Sequence, residues 1–276
     1  MNRLHQPPAP HRSGDDHKGS RSIGANLTTP PAIEFPHRLF VPEHYEASYA
    51  YPLLVWLHSD HSSEYELDGL MQSLSLRNYA AVAIRGNRTS RRSQRLYRWG
   101  STPTEYALNE ECVFQAIEQV SASMSIHPSK VFLGGFGHGA TLAQWIGLRN
   151  PHHFAGLVAC NGPFPKSRRA LSEWKNAQQL PVLAMQSHDS NRFGVDQAIE
   201  MMKLAHRANL QYQFLRFQPS INDPESWAFG NRDNANDEGS LQVEMLQVAN
   251  RFMMGIVTGN EIPLQNSSES HSVSVR

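Results

Sequence analysis

Short, almost unbroken apolar runs recur along this chain, each followed by a stretch with helical spacing. That alternation limits the possible folds more than any other feature of the sequence. Leu53–Leu57 (LLVWL), Tyr79–Ile84 (YAAVAI), Val131–Leu133, Gly156–Cys160 and Pro181–Met185 each have the length of a buried strand. Tyr212–Phe217 (YQFLRF) alternates more and reads as a strand nearer an edge. Helices are predicted at roughly 64–76, 105–123, 140–149, 196–208 and 241–256. In the last of these, Leu241, Met245, Val248, Phe252 and Ile256 fall along one face. Strands that are apolar on both faces must be covered on both faces. The pattern therefore predicts an α/β fold, a mostly parallel central sheet with helices on either side. Ligands of such sheets bind beyond the carboxyl ends of the strands, so the loops that follow the strands are where function is to be sought.

The pattern does not extend to the ends. Residues 1–32 hold only seven apolar residues and no aromatic one, too few to offset the entropy of ordering, and are expected to be disordered. Residues 259–276, rich in serine, read the same way, which leaves 33–258 as the folded unit. The Asn-, Asp- and Gly-rich stretch 220–240 reads as loop-like, either a lid or a disordered segment. Charge is balanced, 25 Lys and Arg against 25 Asp and Glu, which argues against a wholly basic nucleic-acid binder. Two cysteines cannot form a disulfide scaffold, and with no apolar run near the roughly 18 residues of a membrane span the expectation is a cytoplasmic protein. Oligomeric state leaves no trace in the sequence.

One segment carries more information than the rest. Lys130–Ala140 reads KVFLGGFGHGA, an apolar strand, a glycine-dense turn and an immediate helix, with Gly135 and Gly139 at the outer positions of G-x-S-x-G. With PLLVWLHS at Pro52–Ser59, RNPHHFAG at Arg149–Gly156 and PVLAMQSHD at Pro181–Asp189, the chain resembles the α/β-hydrolase superfamily over roughly 50–220. Within it, the resemblance is specifically to the phospholipase/carboxylesterase and polyhydroxyalkanoate-depolymerase-like esterases. The resemblance implies an α/β-hydrolase fold, a nucleophile elbow at this turn and a Ser–acid–His triad.

The triad is where the chain departs from that pattern. The residue at the nucleophile position is Gly137, which has no side chain to attack an acyl carbon. The acid position matches Asp189. No histidine lies between His206 and His271, and Asn222 or a neighbour stands where the base belongs. The resemblance also places backbone donors for an oxyanion at His138 and in the loop His58-Ser59-Asp60-His61, where an aspartate would oppose a developing negative charge. The expectation is a degenerate hydrolase whose cleft binds an acyl or anionic small molecule or a partner.

Two further constellations stand beside this. His58, His61, His138 and His188 come from strand-end loops and, with carboxylates, would suit Zn²⁺. In a chain with 14 histidines the plainer reading is a hydrogen-bonded His58 with the others exposed, and no cofactor is assigned. A histidine- or metal-activated water would make the chain an active ester hydrolase instead. Residues 85–98 carry Arg85, Arg88, Arg91, Arg92, Arg95 and Arg98 with no acid, followed by Trp99. Arginine forks recognise phosphate or carboxylate, so this stretch is a candidate anion-binding loop bordering the cleft. Its plainer reading is a mobile, solvated basic loop, and nucleic-acid recognition lacks a matching fold motif. A non-catalytic scaffold using this loop and the tails is a third possibility. Trp56, Trp145 and Met253–Met254 read as packing, Cys160 as a small hydrophobe ending a buried strand, and Cys112 as a helix residue with no histidine near it in sequence to activate it.

Overall fold

A computed structural model describes residues 35–165, 174–188, 194–218, 227–229 and 241–260. The expected disordered segment 1–32 lies outside the described residues, as do Asp189, Asn222 and nearly all of 259–276. The strands are β1 (His37–Phe40), β2 (Tyr51–Leu57), β3 (Ala80–Ile84), β4 (Arg88–Thr89), β5 (Tyr97–Arg98), β6 (Ile126–Phe136), β7 (Gly156–Cys160), β8 (Val182–Ser187), β9 (Tyr212–Phe217), β10 (Trp227–Phe229) and β11 (Leu241–Gln242). The helices are α1 (Glu66–Leu74), α2 (Pro103–Ser123), α3 (His138–Arg149), α4 (Val195–Arg207) and α5 (Val243–Thr258).

Seven strands form one sheet in the order β1-β3-β2-β6-β7-β8-β9. All neighbours are parallel except β1, which runs antiparallel to β3 with His37 opposite Ile84 and Phe40 opposite Ala81. The reason for a two-sided covering is visible along β2. Leu53, Val55 and Leu57 enter a core with Val82, Leu133 and Ile146, while Leu54 and Trp56 enter the opposite core with Leu67, Leu70, Phe132 and Met245. Successive side chains of a strand point to opposite faces, so a run buried at every position requires a helix layer on each side. The α/β architecture expected from the sequence is the one found.

Three local differences have physical causes. β1 escapes the apolar pattern because it is an edge strand of four residues whose side chains are largely exposed. The central strand β6 is far longer than Val131–Leu133: the residues from Ile126 to Lys130 already run in it, and Gly134 and Gly135 continue it rather than begin the turn. A β-carbon on Gly134 would lie 3.0 Å from the Trp56 ring, so the strand takes glycine to pass beneath the indole. The loop-like stretch 220–240 contains β10, paired antiparallel with β11 just beyond it. Among the described residues no helix is long and apolar enough to cross a membrane.

Candidate functional site

The junction of β6 and α3 is built by close backbone approach. A β-carbon on Gly135 would lie 2.6 Å from the Gly139 carbonyl carbon, and one on Gly139 would lie 2.2 Å from the Leu57 oxygen at the end of β2. Only glycine fits either place. Between them Gly137 turns the chain at φ 57°, ψ −122°, a conformation that side-chain-bearing residues occupy only under strain. Its N–H donates to the Cys160 carbonyl at 2.8 Å, which fixes the turn to the end of β7.

This turn opens on a cavity of about 610 Å³ at the carboxyl ends of the strands. The loop after β2 contributes Asp60, the segment after β3 contributes Arg98 and Trp99, and α2 contributes Tyr106. Gly137, His138 and Trp145 line it from the turn and α3, and Asn161 and Phe164 from the segment after β7. The convergence of strand-end loops on one cleft is as the topology demands. Trp145, read from sequence as packing, lines the cleft, with Tyr106 5.1 Å away and the Arg149 guanidinium 4.7 Å from its ring.

The polar groups of the cleft form a line. Asp60 Oδ1 lies 3.5 Å from His138 Nδ1 and accepts the Trp99 N–H at 3.4 Å, and the Tyr106 hydroxyl lies 3.5 Å from His138 Nε2. Burial, with the Asp60 charge adding to it, pushes the Tyr106 phenol above its usual pKa, so the hydroxyl keeps its proton.

The remaining residues of the first loop serve the architecture. His58 is fully buried, with Nδ1 2.6 Å from the Ser59 carbonyl and Nε2 accepting the Gly86 N–H at 2.9 Å. Both ring nitrogens are used, and burial holds the imidazole below its usual pKa despite nearby carboxylates, so it is a neutral structural group. Ser59 gives its N–H and its hydroxyl to Glu66 Oε2 at 3.1 and 2.9 Å, while Trp56 Nε1 donates to Glu66 Oε1 at 2.8 Å. Trp99 donates its indole N–H to the His58 carbonyl at 2.7 Å.

Neither His58 nor His61 nor His188 lines the cleft. His61 Nδ1 lies 2.6 Å from Ser90 Oγ, and exposed His188 lies 3.3 Å from Arg216. Among the described residues no three His, Cys, Asp or Glu side chains converge as a metal site would need, and the histidine set suggested for Zn²⁺ does not come together.

The arginine segment is more ordered in its pairing than a plain loop. It folds as the β4–β5 hairpin, with Arg88 opposite Arg98 and Thr89 opposite Tyr97. Its acids come from elsewhere in the chain. Arg85 makes an ion pair with buried Glu64 and lies 4.4 Å from the Tyr97 ring. Burial pushes the Glu64 carboxyl up, but the Arg85 hydrogen bonds outweigh it and leave its pKa below the usual range. Arg88 pairs with Glu105, which also closes a capping box with Thr102 at the start of α2. Arg88 foremost, and then Thr102, pull the Glu105 carboxyl down to about 2. Arg91, Arg92 and Arg95 are exposed, and only Arg98 of the six lines the cleft.

Both cysteines are free, and burial raises both thiols, which leaves them poor nucleophiles. Sequence reasoning missed Glu64 and Glu66, and nothing in their local sequence marks them as buried.

The sheet order, the parallel register and the glycine-built β6–α3 turn define an α/β-hydrolase fold. Residues 107–220 match the model of the phospholipase/carboxylesterase family. The whole is similar to the carboxylesterase of Bacillus cereus at 14% identity, over 81% of this chain and 95% of that one, with a TM-score of 0.55. It is similar to a phospholipase/carboxylesterase of Dyadobacter fermentans at 16% identity, over 80% of this chain and 96% of that one, with a TM-score of 0.54. It is also similar to a variant of SOBER1 from Arabidopsis thaliana at 16% identity, over 75% of this chain and all of that one, with a TM-score of 0.57. No curated protein matches the sequence.

Proposed function

We propose that this chain is a carboxylesterase-like protein without serine-hydrolase chemistry, which binds a small molecule in the cleft at the strand ends. The observation that carries this is Gly137. It sits at a sharp strand-to-helix turn, the kind of place a nucleophile elbow occupies, it lines the cavity, and it offers no oxygen or sulfur there. The Thr141 hydroxyl, which also lines the cleft, is committed to the Pro163 carbonyl at 2.8 Å. The Asp60 carboxylate beside His138 opposes the build-up of an oxyanion at the start of α3. The acid and base positions, Asp189 and Asn222, rest on the sequence resemblance.

A fluorophosphonate probe should leave the protein unmodified, as read by intact mass. Stoichiometric labelling would reveal a nucleophile and sink the reading. Gly137→Ser alone should not create an esterase, because the sequence has no histidine between β9 and His271. Gly137→Ser with Asn222→His should give measurable hydrolysis of a short-chain p-nitrophenyl ester if the last loop is aligned correctly.

A second reading is favoured by one contact. With Asp60 at Nδ1, His138 could use Nε2 to take a proton from water as it adds to an ester carbonyl. Distances of 3.5 Å are long for such bonds, but catalytic hydrogen bonds often tighten only once substrate binds. Purified protein should show no turnover above buffer, with or without Zn²⁺ or a chelator. Hydrolysis that His138→Ala abolishes would replace the first reading by this one.

A further inference from the structure

Among the described residues the cleft has one lining cation of fixed charge, Arg98, and its surroundings differ from those of Arg85 and Arg88. Arg85 and Arg88 each have a carboxylate, whereas Arg98 has no ion-pair partner among the described residues. Its Nε is buried and makes no hydrogen bond there. A guanidinium held beside a cavity, with its Nε lacking an acceptor and no ion pair among the described residues, is an incomplete pair.

The walls around it are aromatic. Trp99, Tyr106, Trp145 and Phe164 line a volume of about 610 Å³, ample for a two-ring molecule. The start of α3 opens on the same space without a side-chain cap, and its amide dipoles add to the preference for negative charge. Asp60 sets the opposite limit. Its Oδ1 is engaged by His138 and the Trp99 amide, but its charge remains in the cleft and repels a second negative group.

We infer that the cleft is a receptor for a planar aromatic monocarboxylate, its carboxylate at Arg98 and its rings among Trp99, Trp145 and Phe164. This deepens the ligand-binding reading and rests on it. Arg98, the unpaired cation among the described lining residues, favours a carboxylate, the Asp60 charge disfavours a second one, and the aromatic walls select the flat apolar body.

The test is calorimetric titration of the full chain with three probes of one shape: 2-naphthoate, 2-naphthamide and naphthalene-2,6-dicarboxylate. The acid should bind about tenfold or more tightly than the amide, because a charge-assisted bond is lost in the neutral probe. The dicarboxylate should bind more weakly than the monoacid. Arg98→Gln should weaken 2-naphthoate by about tenfold and leave 2-naphthamide unchanged, the amide reporting that the hairpin and cleft are intact. Equal binding of acid and amide, or an Arg98→Gln variant that binds the acid as wild type does, would overturn the inference and leave cleft binding standing. A dicarboxylate that binds as tightly as the monoacid would overturn the monoanion selectivity. Binding of none of the three would overturn both.

Discussion

Gly139→Ala is expected to be the most damaging single methyl group that can be added to this protein. The new β-carbon would lie 2.2 Å from the Leu57 carbonyl oxygen and 2.4 Å from that of His58. Neither atom belongs to a side chain that could rotate away, so α3 or the end of β2 must move by about an ångström, and the two lie against each other in the centre of the core. Losses above about 4 kcal/mol come from mechanisms of this kind, and a typical domain has only about 5–15 kcal/mol in total. Gly194→Ala provides the contrast. Among the described residues, its chain neighbours aside, no atom lies within 4 Å of the place its β-carbon would take, so the same methyl group at the start of α4 should cost no more than about 1 kcal/mol. Urea denaturation followed by far-ultraviolet circular dichroism measures both. A Gly139→Ala midpoint within error of wild type would mean that helix and strand do not approach so closely.

Removing the Glu66 carboxylate is expected to be nearly as costly, for a chemical rather than a steric reason. Three donors converge on it: the Trp56 indole N–H, the Ser59 amide and the Ser59 hydroxyl. Glu66 and Ser59 are buried, and Trp56 is almost wholly so, which leaves little room for water to replace the lost acceptor. Each buried group left without a partner costs about 1–3 kcal/mol, so Glu66→Ala should lower stability by about 3–5 kcal/mol. Glu66→Gln keeps one acceptor oxygen and should fall between the two. Chemical denaturation gives the energies, and Trp56 fluorescence reports the loss at its origin. An alanine variant within about 1 kcal/mol of wild type would show that the loop after β2 is held by other contacts.

The same carboxylate shows where a sequence stops being readable. The buried strands announced themselves through runs such as LLVWL, because burial on both faces leaves no polar position to blur the pattern. β1 announced nothing, since the four residues HRLF lie largely exposed at an edge and carry no periodic signal. Glu64 and Glu66 are acids in a polar stretch, and local sequence cannot distinguish a buried acid with a partner from a solvated one. Their partners, Arg85 and the Trp56–Ser59 loop, are set by the register of β2 and β3. The arginine segment misled for the converse reason. Six like charges in succession read as a single feature, yet the fold gives Arg85 and Arg88 each a carboxylate and turns Arg98 alone to the cleft. Gly137 was legible because the glycines around it are dictated by backbone contact. The line from Asp60 through His138 to Tyr106 was not, because its members come from three separate elements.

The turn at Gly137 also bears on how much stability the elbow leaves to the fold. At φ 57°, ψ −122° any residue with a β-carbon would store about 1–3 kcal/mol of backbone strain, whereas glycine stores almost none. On the function proposed above, exchanging a hydroxyl-bearing residue for glycine here would relieve tension at the moment it abolished attack. An active site that gives up its reaction in this way gains a margin of stability. Later changes in the cleft walls can draw on that margin while the sheet beneath them stays as it was.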